Sequence, residues 1–147
     1  MLAREFSDQD LDRLVDLFNA YRVFYKKASD LQAAREFITQ RLEKEDSKIY
    51  VCEDNEGKII GFTQLYPLFS STRMKKLWLL NDLFVDENGR GQGASKLLID
   101  KAKELAKSTD ACGVMLETGK TNHIGNNLYP RTGFVKNEGS NFYEWSV

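Results

Sequence analysis

The segment from Lys76 to Lys107 constrains this chain more than any other. Lys76–Val85 (KLWLLNDLFV) is a near-continuous apolar strand, interrupted only by Asn81 and Asp82. It runs into a glycine-rich loop, Asp86-Glu87-Asn88-Gly89-Arg90-Gly91-Gln92-Gly93, and a helix follows at once from Ala94 to Lys107. The inner stripe of that helix is Leu97/Leu98, Ala102 and Leu105, while Lys96, Asp100, Lys103, Glu104 and Lys107 face water. A buried strand leading through a short loop to an amphipathic helix requires a sheet with a helical layer on it.

The remaining elements fit around that unit. Residues 2–6 alternate weakly and form a short first strand. Ser7 caps a helix that carries Leu11, Leu14, Val15, Leu17, Phe18, Tyr21 and Phe24/Tyr25 on one stripe as far as Lys27. Ser29-Asp30 caps a second helix with Leu31, Ala34, Phe37, Ile38 and Leu42. Lys48–Glu53 is a strand, and Asp54-Asn55-Glu56-Gly57 has hairpin-turn chemistry. Lys58–Phe69 is the returning strand, with Pro67 marking an edge or a bulge. Gly113–Thr118 reads as a strand, Asn122–Tyr129 as a helix and Phe142–Val147 as a final strand. Trp78 and Trp145 are expected in the core.

Composition narrows the class. The 147 residues suit one domain on a prior of roughly 100–200 residues per domain, and 41% hydrophobic with 29% charged residues is globular. The 21 basic residues nearly cancel the 22 acidic ones, so nucleic acid is not an expected partner. No apolar run approaches the ~20 residues of a membrane span, and no signal-peptide core opens the chain. Cys52 and Cys112 lack metal-ligand spacing and read as small core residues in a reducing compartment, so a cytoplasmic protein without a metal is expected.

The glycine loop has the chemistry of a phosphate cradle. Main-chain N–H groups there and in the first helical turn lack helical partners, and the helix dipole favours an anion. Two familiar phosphate motifs do not match. The dinucleotide fingerprint wants a third glycine where Lys96 stands, and it prefers a chain that opens with a parallel β-α-β unit. Gly119-Lys120-Thr121 ends like a Walker A motif, but that motif wants glycine at the position of Val114.

Arg90-Gly91-Gln92-Gly93-Ala94-Ser95, following Leu83-Phe84-Val85, resembles the acetyl-CoA signature of the GNAT superfamily of N-acetyltransferases. The block from Asn122 to Phe134, with Leu128-Tyr129 and Gly133-Phe134, is similar to a later motif of the family, in the same order. Ser95 stands where Gly or Ala is usual, and Gly125-Asn126 where an alanine–apolar pair is common. The resemblance implies a mixed α/β fold, with a mostly antiparallel central sheet of six or seven strands flanked by about four helices and a strand-loop-helix acetyl-CoA site. Leu80–Glu87 looks most like enzymes that acetylate small amines such as polyamines and amino acids, or related protein-lysine acetyltransferases.

The same resemblance assigns roles. The amides of Gly91, Gly93, Ala94 and Ser95, within the Arg90–Ser95 signature that includes Gln92, would receive the pyrophosphate, and Arg90 would pin the loop or the phosphates. The edge of Leu83, Phe84 and Val85 would pair with the pantetheine arm, and an N–H near Leu83 or Phe84 would stabilise the oxyanion. Asn122 would bond that arm or the local backbone. A carboxylate is needed because an amine of pKa ~10.4 is mostly protonated at neutral pH. Asp82 is the first candidate, ahead of Glu117 and Asp86; Asn81, a candidate for the substrate site, would face the opposite side of a regular strand, which a bulge would change. Tyr129 would protonate the departing thiolate. Tyr21, Phe24, Tyr25, Tyr66 and Phe69 are candidates for the amine pocket, while His123 reads as a surface or cap residue. The expected reaction is acetyl transfer from acetyl-CoA to a primary amine of a small molecule by direct attack in a ternary complex. A protein-lysine or N-terminal acetyltransferase, a non-catalytic CoA-binding sensor and a nucleotide-phosphate binder are the alternatives. A homodimer through the C-terminal strand or the sheet edge is compatible with the sequence.

Overall fold

A computed structural model describes residues 1–147. Its five strands are β1 (Leu2–Glu5), β2 (Lys48–Glu53), β3 (Ile59–Ser70), β4 (Lys75–Val85) and β5 (Val114–Met115). They form one sheet in the order β1-β2-β3-β4-β5, antiparallel except for the parallel β4–β5 pair. Helices α1 (Leu11–Phe24), α2 (Leu31–Lys44), α3 (Ala94–Ser108) and α4 (His123–Arg131) complete it. By packing, the chain divides into residues 1–116 and residues 117–147.

Within residues 1–116 the helices take opposite faces of the sheet. Leu14, Leu17 and Phe18 of α1 and Ala34 and Ile38 of α2 are buried with Ile49, Val51, Phe62 and Phe84. Ala94 and Leu98 of α3 are buried with Ala3, Cys52, Ile60 and Val85. Period 2 in the strands and period 3.6 in the helices thus produce two cores on either side of one sheet. Trp78 is buried, and its indole N–H donates to Thr109 Oγ1 at the end of α3 at 2.9 Å.

The entry to α1 is held more firmly than a Ser cap alone would hold it. The Ser7 main-chain N–H and hydroxyl both donate to Asp10 Oδ2. Arg4 spans both oxygens of Asp10 at 2.7 and 2.9 Å and also contacts Glu53. The Arg4 guanidinium holds the Asp10 carboxyl below its ordinary range, against the opposing effect of burial.

Pro67 lies past the last β2–β3 pair, Lys48↔Leu65, so β3 has no neighbour on that side and the missing N–H costs no ladder bond. The register irregularity falls instead between Gln64 and Leu65.

Two expectations are corrected. The sheet has five strands rather than six or seven, because residues 142–147 adopt no strand and β5 spans two residues rather than Gly113–Thr118. Trp145 is 85% exposed and is not a core residue, and Phe142 and Tyr143 are exposed beside it. Strand propensity acts only where an edge pairs with the segment, and no edge does so here. No helix is long and apolar enough to cross a membrane.

Candidate functional site

The centre of the site is a bulge in β4. Gln64 pairs with Asp82 while its neighbour Leu65 pairs with Leu80, which leaves Asn81 as an extra residue in β4. The bulge reverses the alternation of the strand. Before it, Trp78 reaches the end of α3 on one face of the sheet. After it, Phe84, although also even-numbered, is buried with α1 and α2 on the other face. Asp82, two residues before Phe84, lies on the same face. In a regular strand it would share the face of Trp78, whereas the extra residue turns it to α1 and α2.

There, Asp82 and Asn81 both line a pocket of about 450 Å³. Tyr21, Tyr25 and Tyr66 line it with them, as do Phe18 and Phe37, whose rings stack with centroids 5.6 Å apart. Tyr21 and Tyr25, one helical turn apart, meet edge to face at 5.0 Å. Asp82 is 4% exposed. Burial pushes its carboxyl above the ordinary range, and hydrogen bonds from Tyr21 and Asn81 partly offset this. Asn81 Nδ2 donates to Asp82 Oδ1 at 3.2 Å, and the Tyr21 hydroxyl donates to the Asn81 carbonyl at 3.4 Å. Burial together with the Asp82 charge pushes the Tyr66 phenol up to about 12, and the Tyr25 phenol moves in the same direction for the same two reasons. A carboxylate walled by phenols that stay protonated can accept a proton from a cation entering the pocket.

The bulge also prepares the outer edge of β4. Before it, Trp78 N–H bonds to Gly113 O and Lys76 O accepts from Cys112 N–H, so even-numbered residues point towards β5. After it, Asp86 N–H bonds to Ile60 O on the β3 side. Alternation then turns the main-chain groups of Leu83 and Val85 away from β3. β5 pairs only with Trp78 and Leu79, so no strand covers that stretch. Arg90 Nε donates to the Val85 carbonyl at 3.0 Å, its guanidinium lies 5.8 Å from the Phe84 ring centroid, and Arg90 thereby ties the glycine loop to the strand end.

The loop presents its amides outward. Lys96 and Leu97 N–H groups make the first bonds of α3, both to Gly93 O, so the N–H groups of Gly93, Ala94 and Ser95 project from the helix start. Gly91 and Gly93 have φ +75° and +91°, and a Cβ at either would meet nothing within 4 Å. A left-handed backbone with open space over its amides makes an anion-binding concavity, and no acidic residue occupies the first turn to oppose it. These residues fit a diphosphate. Gln92 supports the loop from within, its Nε2 donating to Asn88 O at 2.9 Å.

In residues 117–147, Asn122 caps α4: its Oδ1 accepts from Gly125 N–H and its Nδ2 donates to Thr118 Oγ1. Of the two bonding roles read from the motif, the local one is formed. A Cβ on residue 125 would lie 2.8 Å from Asn122 Nδ2, so glycine stands there to admit the cap. Tyr129 is half-buried, its ring edge-to-face with Phe134 at 5.9 Å, and its carbonyl receives the N–H groups of Thr132 and Phe134. His123 is exposed at the start of α4.

Several sequence candidates fall elsewhere. Phe24 and Phe69 are 53% and 78% exposed and do not line the pocket. Asp86 is ion-paired with Arg13 at 2.6 Å, which holds its carboxyl below the ordinary range. Glu117 is exposed. The pocket also takes in Phe18, Arg22, Lys27 and Phe37, which sequence reading left as core or surface positions. No local signal separates Phe18 and Phe37 from core positions, since aromatics at helical spacing read as core.

Comparison with known proteins agrees with this geometry. Residues 11–134 match the model of the Acetyltransferase (GNAT) family. An uncharacterized N-acetyltransferase of Bacillus subtilis (strain 168), YhfO, is 42% identical over 139 residues, covering 95% of this chain and 93% of that protein. A probable acetyltransferase of Haemophilus influenzae is 28% identical over 138 residues, 94% of this chain and 92% of that one. The crystal structure of a probable acetyltransferase superposes with a TM-score of 0.94 at 33% identity, covering 100% of this chain and 98% of that one.

Proposed function

Since the chain belongs to the GNAT acetyltransferase family, we propose that it transfers the acetyl group of acetyl-CoA to the primary amine of a small molecule, by direct attack in a ternary complex, with residues 1–147 working as one domain. The observation that carries this reading is the bulge at Asn81, which puts the carboxylate of Asp82 in an aromatic pocket and the main-chain groups of Leu83, with the Val85 N–H, on the side of β4 away from β3 directly after it. One residue step thus separates an acceptor site from a donor site.

The outward amides of Gly91 to Ser95 receive the diphosphate of the donor substrate, with Arg90 acting as the brace of the loop. The edge from Leu83 to Val85 lines up the amide-bearing arm by strand addition, and a main-chain N–H there faces the thioester carbonyl. Asp82 accepts the proton of the ammonium acceptor. Its raised pKa brings it nearer to that of the amine it must deprotonate. The neutral nitrogen then attacks the carbonyl carbon to give a tetrahedral oxyanion; as this collapses the C–S bond breaks, the thiolate leaves, and the nitrogen gives up its surplus proton to solvent.

Tyr129 supplies a proton to the thiolate that leaves. Tyr129→Phe is expected to lower kcat about 10- to 100-fold while the KM for acetyl-CoA changes little, since only a transition-state interaction is removed. An unchanged kcat assigns the proton to another source.

The free thiols of Cys52 and Cys112 support a reducing compartment such as the cytoplasm. The deciding experiment follows thiol release from acetyl-CoA against polyamines, amino acids, aminoglycosides and lysine peptides. Acetylation of a small amine is the expected result. Transfer to lysine peptides alone makes it a protein acetyltransferase, and tight CoA binding without any transfer makes it a sensor.

A further inference from the structure

The lining of the pocket is not neutral. Against the single carboxylate of Asp82 it carries two cations, Arg22 and Lys27, both at the end of α1 or just beyond it. Arg22 is partly exposed and Lys27 exposed, whereas Asp82 is buried. Arg22 uses one terminal nitrogen on the Ala28 carbonyl at 3.3 Å, which leaves the other N–H donors of its fork free. The rings of Phe18, Tyr25 and Phe37 line the same pocket.

On the reading that this pocket holds the acceptor, we infer that the acceptor is a primary amine whose other end is anionic, joined by an apolar body: a small amino-carboxylate rather than a polyamine. Each part of such a molecule has a counterpart. The ammonium meets Asp82 and the faces of the tyrosines, the body lies on the rings, and the carboxylate meets Arg22 and Lys27 at the mouth. A diamine satisfies the first two and places a second cation against two others. That penalty is a specificity device, since it acts against the wrong acceptor without adding a contact to the right one.

The test uses three benzylamines that differ only in the para group: carboxylate, methyl or aminomethyl. With acetyl-CoA as donor, the expected kcat/KM order is carboxylate, then methyl, then aminomethyl. Lys27→Glu, at an exposed position, should lower the carboxylate-to-methyl ratio about tenfold, and Arg22→Gln should lower the same ratio. High salt should compress the series, because the cations sit where solvent reaches them. An aminomethyl acceptor equal to or better than the carboxylate, or a ratio that neither substitution moves, overturns the inference and leaves the acetyltransferase reading in place. Transfer to none of the three also overturns the inference, while thiol release with the wider set of amines and lysine peptides decides the acetyltransferase reading separately.

Discussion

Asp82→Asn should lower kcat/KM for amine acetylation by about 10²- to 10³-fold at neutral pH, the range typical of removing a positioned general base. It should also leave the fold as stable as before, or more stable. The carboxyl is 4% exposed and burial raises its pKa, so the native state holds on to a proton that the unfolded chain releases earlier. As pH rises from the unfolded pKa to the folded one, native stability therefore falls, and above the folded pKa the whole cost of the buried charge is present. Asparagine removes that charge and keeps an oxygen for the Asn81 amide to bond. Two measurements check this together: the pH–rate profile, whose acid limb should vanish in the variant, and thermal unfolding at pH 7, where Tm should hold or rise. A drop of Tm by several degrees with a retained acid limb would show that Asp82 serves the sheet and not the reaction.

The second large effect is expected at Gly93. Gly93→Val puts a branched side chain into the open space over the loop amides, at a φ of +91°. Losing two charge-assisted N–H bonds to a diphosphate, at about 1.5 kcal/mol each, weakens CoA binding about 100-fold. The left-handed backbone adds a strain of roughly 1–2 kcal/mol to the fold, which lowers Tm independently. Gly57→Val separates the two effects, because Gly57 has a similar φ of +80° and equally open surroundings but sits in the β2–β3 turn. Isothermal titration with CoA should show lost affinity in the first variant and unchanged affinity in the second. Equal affinities in both would place the diphosphate somewhere other than this loop.

Much of this molecule could be read locally. The Asp30 cap of α2 and the Asn122 cap of α4 are visible as residue types next to periodic segments, and each forms its bond within three residues. The hairpin at Asp54–Gly57 and the loop entering α3 are equally local, because turn chemistry depends on neighbours in the chain. Asn81-Asp82 was legible as an interruption, but not the direction each side chain takes. That depends on where β3, about twenty residues earlier, falls out of step with β4. Phe18 and Phe37 show the same limit, since a stripe of aromatics does not say whether it faces a sheet or overhangs it. Phe142–Val147 shows the converse, with strand-like residues and no partner edge.

The chain's own order of residues settles which segments become helix and strand and where main-chain donors stand free at the start of α3, since these follow from contacts within a few residues. Tertiary structure alone decides that Asp82 is buried in an aromatic pocket lined also by Arg22 and Lys27 and that no strand pairs with the outer side of β4 beyond Leu79. The reason is that strand register and helix-on-sheet packing are set by pairs far apart in sequence, and a one-residue bulge in such a pairing exchanges the two faces of everything after it.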